Sequence, residues 1–381
     1  MQVGIDISAV AYQRGVSRYT SNLVTALLKQ KDINLCLYGY NWRQQFRLKQ
    51  FVNDLRDEFP LASHHWSAII EPYPPTLMAK FWQWGWHSLK KTLPQIDVFH
   101  SWDWLQPPDR QLPLVSTIHD LAMLKYPDTA HPAILKRHRK SWQTLHRSQA
   151  QIITVSHSTK RDIIKFLNFP EADVHVIYEA LPGEVWQTSA NLTQADLEAG
   201  RSQWQLTKPY ILFVGTREPR KNLLKLIAAW QPLRQNVDLV IAGESGWEDL
   251  RPWQHLQPQL KLLGHVSDKE LSGLYSEAEL LAYPSLDEGF GLPILEAFHY
   301  GTPVLTSNVS AMPEVAGNAA VLVNPQSVEE IRQGLMKLMG ESPSEQRQRL
   351  QKMIIRLHSF SWSRTAEQTV KVYQRALHHH F

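Results

Sequence analysis

The sequence has 381 residues, 43% apolar and 20% charged, which is the composition of an ordinary globular protein with room for two or three domains. The net charge is only +4, and no basic block or nucleic-acid-binding motif accompanies it, which argues against nucleic acid as a partner. The single cysteine, Cys36, excludes a disulfide within the chain and favours a reducing compartment.

No stretch has the features of a membrane-spanning or secretory segment. The apolar runs stay below the roughly 18 residues that a transmembrane helix requires. The first residues, Met-Gln-Val-Gly-Ile-Asp, lack the charged region and apolar stretch of a signal peptide. We therefore expect a cytoplasmic protein.

Short apolar runs, each predicting a buried strand, alternate with helical patterns along the chain. In the first half they cover residues 3–7, 35–38, 98–100, 114–118, 152–155 and 174–177. In the second half they cover residues 210–214, 239–242, 260–263, 280–283, 303–305 and 321–323. This alternation predicts an α/β protein with two Rossmann-like domains, each built on a parallel sheet of six strands.

The domain boundary is expected where the apolar periodicity fails, over residues 181–203. The first domain then covers residues 1–183 and the second covers residues 184–361. One more helix is predicted over residues 362–377, where apolar residues recur at helical spacing.

Ligands of open parallel sheets bind beyond the carboxyl ends of the strands, so polar residues after each predicted strand are candidates for chemistry. Gly15, after the first strand, would let a ligand approach the backbone, although loops contain glycine for many reasons. His119 and Asp120 follow the strand at 114–118, where a lone histidine is more often structural than functional.

A basic loop follows the first strand of the second domain and contains Arg217, Arg220 and Lys221. Beside a helix start, these side chains would neutralise a diphosphate leaving group, and arginine can make bidentate contacts to it. The alternative is a solvated loop, which accounts for most groups of three basic residues.

The most informative stretch, residues 285–301, places Glu288 and Glu296 around a glycine-rich loop and a predicted helix start at Pro293. A helix N-terminus behind such a loop binds phosphate, whereas carboxylates do not. The two glutamates must therefore face hydroxyl groups, as in a sugar or a ribose. The alternative is an ordinary helix start, in which glutamate complements the helix dipole.

Two glutamates separated by seven residues resemble the signature of the retaining glycosyltransferases of family 4. That family has the GT-B fold, in which two Rossmann-like domains face each other across a cleft. The resemblance implies that Glu288 contacts the donor sugar and that Glu296 holds the ribose of the nucleotide. It also implies backbone contacts to the donor phosphates from the loop between them, Gly289, Phe290, Gly291 and Leu292.

The first domain is similar to a mannosyltransferase-like branch of this family. The loop containing Gly15 resembles a donor-contacting loop of the branch, although Val16 and Ser17 replace an isoleucine and a glycine. The His-Asp-Leu pattern implies that His119 contacts hydroxyl groups of the donor sugar and that Asp120 holds the imidazole tautomer. By resemblance alone, the helix over residues 362–381 is expected to pack back on the first domain.

In the second domain, Lys221 falls on the phosphate-binding lysine of the family. The family's arginine directly after the glycine is replaced here by Thr216, so that Arg220 or Arg217 must substitute, with Arg220 preferred. The segment around Val266 resembles the loop that reads the nucleotide base through backbone atoms.

Neither an Asp-x-Asp motif nor a cysteine and histidine set with zinc spacing occurs in the sequence. We therefore expect no metal and no cofactor beyond the nucleotide-sugar substrate. Arginine, lysine and a helix dipole would then stabilise the leaving diphosphate.

The acceptor side is expected in the first domain, where tryptophans and lysines are concentrated. The residues concerned are Trp66, Trp82, Trp84, Trp86, Trp102 and Trp104, with Lys80, Lys90 and Lys91. Indole rings stack on sugars and anchor proteins at lipid headgroups, and lysines attract anionic lipids. A glycan or lipid-linked acceptor at an anionic membrane surface is the hypothesis, and a helix packed on its own domain is the alternative.

The predicted function is the retaining transfer of a hexose to a glycan or lipid-linked saccharide in cell-surface polysaccharide or glycolipid synthesis. Mannose from GDP-mannose is the preferred donor because the closest resemblance is to mannosyltransferases. The alternatives are a transferase that uses a UDP-hexose, a UDP-sugar epimerase of the same fold, and a nucleotide-sugar-binding protein without turnover.

Overall fold

The computed structural model describes residues 1–12, 15–60, 65–129, 131–246 and 250–378. The chain forms two compact units, each with its own hydrophobic core. The first unit consists of Met1–Leu124, Ala130–Glu179 and Ser361–Phe381, and the second of Lys125–Thr129 and Ala180–Phe360.

Strands and helices alternate along the described residues. The strands are β1 Gln2–Asp6, β2 Asn34–Tyr40, β3 Trp66–Glu71, β4 Val98–Trp102, β5 Leu114–Ile118, β6 Gln151–Thr154, β7 Val174–Val176, β8 Tyr210–Val214, β9 Asp238–Ala242, β10 Leu260–Gly264, β11 Leu280–Tyr283, β12 Val304–Ser307 and β13 Val321–Val323. The helices are α1 Gly15–Leu28, α2 Gln45–Glu58, α3 Pro75–Trp84, α4 Leu89–Thr92, α5 Ala122–Lys125, α6 Pro132–Arg147, α7 His157–Leu167, α8 Gly183–Ala190, α9 Gln194–Gln203, α10 Leu223–Trp230, α11 Asp268–Glu277, α12 Leu292–His299, α13 Met312–Ala316, α14 Val328–Met339, α15 Pro343–His358 and α16 Trp362–His378.

The first unit contains a parallel sheet with strand order β3-β2-β1-β4-β5-β6-β7. The sequence predicts six strands here, and that number is wrong because no apolar run marks β3. This strand lies at the edge of the sheet and pairs only with β2, and most of its residues are partly exposed. An edge strand of this kind lacks the continuous apolar run that marks a strand buried on both faces.

The second unit contains a parallel sheet with strand order β10-β9-β8-β11-β12-β13, which confirms the six predicted strands. Its core is formed by strand residues that are buried almost completely and by apolar side chains of α10 and α14. Trp230 of α10 belongs to this core, and its indole N–H donates to the carbonyl oxygen of Val237 at 2.8 Å.

The order of the strands determines where a ligand can bind. In the second sheet the chain runs outward from β8 to β10 and then returns to place β11 beside β8. The loops after β8 and β11 therefore leave the carboxyl edge in opposite directions and open a crevice between them. The basic loop follows β8, and the loop containing Glu288 follows β11.

The C-terminal helix α16 packs within the first unit. The Tyr373 hydroxyl lies 2.7 Å from Nδ1 of His100 in β4, and the Thr365 hydroxyl donates to the carbonyl oxygen of Tyr178 at 2.7 Å. Across the described ranges, no helix combines the length and apolar character needed to cross a bilayer.

Candidate functional site

The basic loop after β8 is joined to the loop after β11 by hydrogen bonds. Pro219–Lys221 form one turn of 3-10 helix, which ends at Asn222 with a left-handed backbone (φ 62°). The Asn222 amide donates to the carbonyl oxygens of Pro284 and Pro325 at 3.0 and 2.7 Å. Leu286 N–H donates to the carbonyl oxygen of Arg220 at 2.7 Å. These bonds hold the cations of one loop against the carboxylate of the other.

Glu288 is at the centre of the resulting charge cluster. Arg220 Nη1 donates to Glu288 Oε2 at 2.7 Å, and Lys221 Nζ donates to Glu288 Oε1 at 2.6 Å. Burial disfavours the charged form of Glu288, but the two cations outweigh this effect and lower its pKa to about 2. The carboxylate is therefore ionised at every physiological pH.

Lys221 is also buried in the cluster. Burial, assisted by the neighbouring charge of Arg220, lowers the pKa of Lys221 in spite of the opposing charge of Glu288. Its ammonium also donates to the Tyr283 hydroxyl at 2.8 Å. The Arg220 guanidinium has further acceptors, the Glu218 carboxylate at 2.9 Å and the carbonyl oxygen of Asp287 at 3.2 Å.

Three side chains of this cluster have no role assigned from the sequence: Tyr283, Glu218 and Ser310. Tyr283 is the last residue of a predicted strand, and a buried aromatic residue with a polar tip at that edge was the available signal. The Ser310 hydroxyl accepts from Glu288 N–H at 3.1 Å and donates to Asp287 Oδ1 at 2.8 Å. Ser310 fixes the Glu288 backbone from a loop 22 residues further along the chain, which local patterns do not reveal.

The helix after the glycine-rich loop, α12, begins as predicted around Pro293, which lies in its first turn. Gly291 caps the helix with a left-handed backbone (φ 111°), which favours glycine. Glu296 lies one turn into the helix and is buried, and its Oε2 accepts from the Tyr275 hydroxyl at 2.8 Å. The structure thus places Gly291, Leu292 and Glu296 on one helix start beside Glu288.

Arg217 lines a cavity of about 430 Å³ at the carboxyl ends of β8, β9 and β10, and Glu288 is not part of that lining. The other lining residues are Ile241, Gly243, Glu244, Ser245, Leu262, Gly264 and His265. Val266 follows the last of these directly. Gly243 keeps this cavity edge tight, because a β-carbon there would stand 2.2 Å from the carbonyl oxygen of Gly215.

In the first unit, His119 follows β5 and its ring lies against Tyr19 and Trp102, with centroids 4.6 and 6.3 Å apart. Its Nε2 atom is buried and has no hydrogen-bond partner among the described residues. Burial lowers the pKa of His119, although Asp103 and Asp120 act in the opposite direction. The imidazole is therefore neutral at pH 7, and its Nε2 has hydrogen-bonding capacity that the described residues do not use.

The structure corrects the partner predicted for Asp120. Its Oδ1 accepts from Ala122 N–H at 2.9 Å and so caps the short helix α5, and no described hydrogen bond joins Asp120 to His119. Gly15 is the first residue of α1, and a β-carbon there would meet nothing within 4 Å. The backbone at Gly15 is therefore approachable, but close packing does not require glycine there.

A second histidine and carboxylate pair, not predicted from the sequence, lies near His119. His138 Nδ1 is 3.0 Å from Oδ2 of Asp103, which follows β4 directly. Burial lowers the pKa of His138, but Asp103 outweighs this effect and raises it overall. Among the described residues, no group of three or more His, Cys, Asp or Glu side chains could hold a metal ion.

Comparisons with known proteins identify the family. The family model for glycosyl transferases group 1 matches residues 196–355, and the model for Glycosyltransferase Family 4 matches residues 13–182. The O-antigen chain mannosyltransferase B of Escherichia coli is 32% identical over 279 residues, which cover 70% of this chain and 71% of that protein. The chain belongs to the family 4 glycosyltransferases.

Within family 4 the similarity is to the mannosyltransferase-like branch. The serotype-specific mannosyltransferase WbdA of Escherichia coli is 29% identical over 237 residues, covering 59% of this chain but only 29% of WbdA. Sucrose-phosphate synthase from Thermosynechococcus elongatus aligns over 98% of both chains, with a TM-score of 0.68 and 18% identity. HepE from Anabaena, solved with UDP-glucose, aligns over 98% of this chain and 100% of its own, with a TM-score of 0.69 and 15% identity. These structures show that the family 4 chain has the GT-B fold.

Proposed function

We propose that this protein is a retaining, metal-independent transferase that moves mannose from GDP-mannose to a glycan or lipid-linked saccharide. The product would enter a cell-surface polysaccharide or glycolipid. The observation that carries the proposal is the charge cluster of Arg220, Lys221 and Glu288 in the crevice between β8 and β11. Named mannosyltransferases among the relatives support the choice of sugar.

In the proposed reaction the bond between the sugar C1 and the diphosphate oxygen breaks, and C1 forms a bond to an acceptor oxygen. The acceptor hydroxyl loses its proton, and the diphosphate leaves with the bonding electrons. Arg220, Lys221 and the N-terminus of α12 at Gly291 would stabilise the charge that develops on the diphosphate. No metal takes part, because these cations and N–H groups supply the positive potential.

The carboxylate and imidazole would orient the sugar. When the diphosphate takes over Arg220 and Lys221, Glu288 becomes available to accept hydrogen bonds from sugar hydroxyls. The unpartnered Nε2 of His119 would contact a sugar hydroxyl as well. Asp120 would support the start of α5 and would not hold the tautomer of His119.

The base of the nucleotide would occupy the cavity lined by Arg217, with backbone atoms around Val266 at its edge. Its volume of about 430 Å³ is sufficient for a purine or a pyrimidine. Guanine is preferred because Glu244 can accept from its two neighbouring N–H groups while Arg217 donates to its carbonyl oxygen. A UDP-hexose is the second candidate, since HepE, which shares the fold, was solved with UDP-glucose.

The acceptor would bind the first unit, with the protein in the cytoplasm at an anionic membrane surface. Trp84 and Trp86 support such a contact, because they are 51% and 72% exposed and their ring centroids are 4.7 Å apart. Trp66, Trp82 and Trp102 are buried and Trp104 is partly buried, so only Trp84 and Trp86 of the predicted tryptophan cluster are exposed.

The test is nucleoside diphosphate release from a panel of GDP-sugars and UDP-sugars in EDTA, with and without crude glycan or lipid acceptors. We expect acceptor-stimulated release from GDP-mannose, lost in Glu288→Gln and Arg220→Ala. The matched control is Glu341→Gln, which breaks a buried pair with Arg349 in the same unit and should retain activity. Release from a UDP-sugar alone would favour the second donor, and binding without release would favour a protein without turnover.

A further inference from the structure

The Glu296 carboxylate accepts a hydrogen bond from a tyrosine on the neighbouring helix of the second unit. The Tyr275 hydroxyl, on α11, lies 2.8 Å from Glu296 Oε2, and both residues are almost completely buried. A buried carboxylate needs hydrogen-bond donors, and a bond from a hydroxyl to an ionised oxygen is short and strong. A carboxylate has about four acceptor positions, so it can accept hydrogen bonds from more than one donor at the same time.

Tyr275 is itself held in place on several sides. Its ring stacks on Tyr300 with an interplanar angle of 4° and centroids 5.7 Å apart. The Tyr300 hydroxyl is bonded to the Ser272 hydroxyl at 2.5 Å, and the Thr302 hydroxyl donates to the carbonyl oxygen of Tyr275 at 2.6 Å. The hydroxyl of Tyr275 therefore has one well-defined position, and it fixes one rotamer of Glu296.

We infer that Tyr275 is a positioning residue for nucleotide binding, whose hydroxyl orients the Glu296 carboxylate toward the two ribose hydroxyls of the donor. The inference rests on the proposed function, in which Glu296 holds the ribose. Side chains of a helix lean toward its N-terminus, so the Glu296 carboxylate is directed to the start of α12, where the proposed diphosphate site lies. A ribose attached to that diphosphate would lie within its reach.

The ribose takes no part in bond making or breaking, so its contacts contribute equally to the ground state and the transition state. Loss of such uniform binding raises KM and leaves kcat unchanged. Replacing Tyr275 with Phe should therefore weaken the use of the ribose hydroxyls without slowing turnover at saturating donor. A tyrosine that served only the packing of α11 on α12 would lower stability without affecting ribose recognition.

The experiment titrates the nucleoside diphosphate of the preferred donor and its 2′,3′-dideoxy counterpart into wild type, Tyr275→Phe and Glu296→Gln. The matched control is Tyr210→Phe, because Tyr210 is also buried in the second unit and its hydroxyl donates to the carbonyl oxygen of Leu274 on α11 at 2.8 Å. Steady-state KM and kcat for the nucleotide sugar are measured on the same proteins.

We expect wild type and Tyr210→Phe to bind the ribonucleotide at least about tenfold more tightly than the dideoxynucleotide. Glu296→Gln should remove most of this preference. Tyr275→Phe should reduce it by about threefold to tenfold and raise KM by a similar factor, with kcat changed less than about twofold. If Tyr275→Phe does not fold, Tyr300→Leu provides a second variant, since it removes the ring that supports Tyr275.

The experiment distinguishes failure of the ribose assignment of Glu296 from failure of the positioning role of Tyr275. If wild type shows no preference for ribose and Glu296→Gln changes nothing, the ribose assignment in the proposed function is wrong, and the inference about Tyr275 falls with it. If wild type shows the preference and Glu296→Gln loses it, while Tyr275→Phe and Tyr300→Leu keep the wild-type ratio, only the positioning role is overturned.

Discussion

Replacing Glu288 with Gln tests the proposed donor site. If Glu288 were simply a nucleotide-binding residue, its loss would weaken nucleotide binding, but the structure predicts the opposite. In the structure, Glu288 is paired with Arg220 and Lys221, the two cations that the proposal assigns to the diphosphate. A diphosphate must therefore compete with this carboxylate for both cations. Removing the competing charge should strengthen the binding of free nucleoside diphosphate while it abolishes transfer.

The magnitudes follow from the burial and pairing of the charges. A carboxyl with a pKa of about 2 instead of 4.5 is favoured in its ionised form by about 3 kcal/mol. Breaking a buried pair from one side costs about 3–5 kcal/mol in stability. Arg220 keeps its contact with Glu218, so we expect the lower end of this range, which corresponds to a fall in Tm of about 6–12 °C.

Binding should change in the opposite direction to stability. We expect Glu288→Gln to bind the nucleoside diphosphate about tenfold more tightly, a gain of about 1.4 kcal/mol, because part of the lost pairing is restored by the ligand. Turnover should fall by at least about 100-fold, since the sugar loses its oriented carboxylate. Saturating nucleotide should therefore raise the Tm of the variant more than that of wild type.

The assay is calorimetric titration of GDP and UDP at pH 7.5, with thermal unfolding measured on the same samples. Glu341→Gln is the control, because Glu341 and Arg349 form an equally buried pair in the same unit, and Arg349 Nε lies 2.8 Å from Glu341 Oε2. It should lose stability and keep wild-type affinity. Weaker or unchanged nucleotide binding by Glu288→Gln would refute the idea of competition for the two cations.

Further predictions concern pH and backbone geometry. The stability difference between wild type and Glu288→Gln in urea unfolding should be constant above about pH 5 and shrink as the pH falls from 4.5 toward 2, because the folded-state pKa is lowered. The penalty of His138→Gln should be full below pH 6.5 and decline as the pH rises through the raised pKa of this histidine, measured by urea midpoints between pH 5.5 and 9. Gly291→Ala should lower stability by about 1–2 kcal/mol in thermal unfolding and weaken nucleotide binding, because its backbone is left-handed (φ 111°) and the added carbon would lie 3.3 Å from Ile294.

The sequence predicts the strands of the fold correctly where their residues are completely buried. Strands β8 and β11 coincide with predicted runs because parallel strands covered on both faces are continuously apolar. Strand β3 is not predicted because it is incompletely buried. Its position at the sheet edge leaves Ile69, Ile70 and Glu71 partly exposed. An apolar run therefore indicates that a segment is buried, and it reveals a strand only when that strand is buried.

The sequence predicts which loops form the candidate site, but it does not predict which side chains in them bond to one another. The loops after β8 and β11 were identified, because chain order predicts where a crevice opens. The pairing of Lys221 with Tyr283 and of Glu288 with Ser310 depends on contacts 62 and 22 residues apart, which no local pattern contains. The prediction that Asp120 holds the imidazole of its neighbour His119 was wrong. The Asp120 carboxylate accepts instead from the backbone N–H two residues further along the chain.

The low pKa of Glu288 also limits the chemistry that the cluster can perform. In the protein without donor, pairing with Arg220 and Lys221 lowers the pKa of Glu288 to about 2, so Glu288 is a carboxylate when the donor arrives. A diphosphate leaving group does not require a proton, because its charge can be matched by cations and by helix N–H groups. Arg220, Lys221 and the start of α12 provide these within one crevice, so that departure of the diphosphate needs no proton from Glu288.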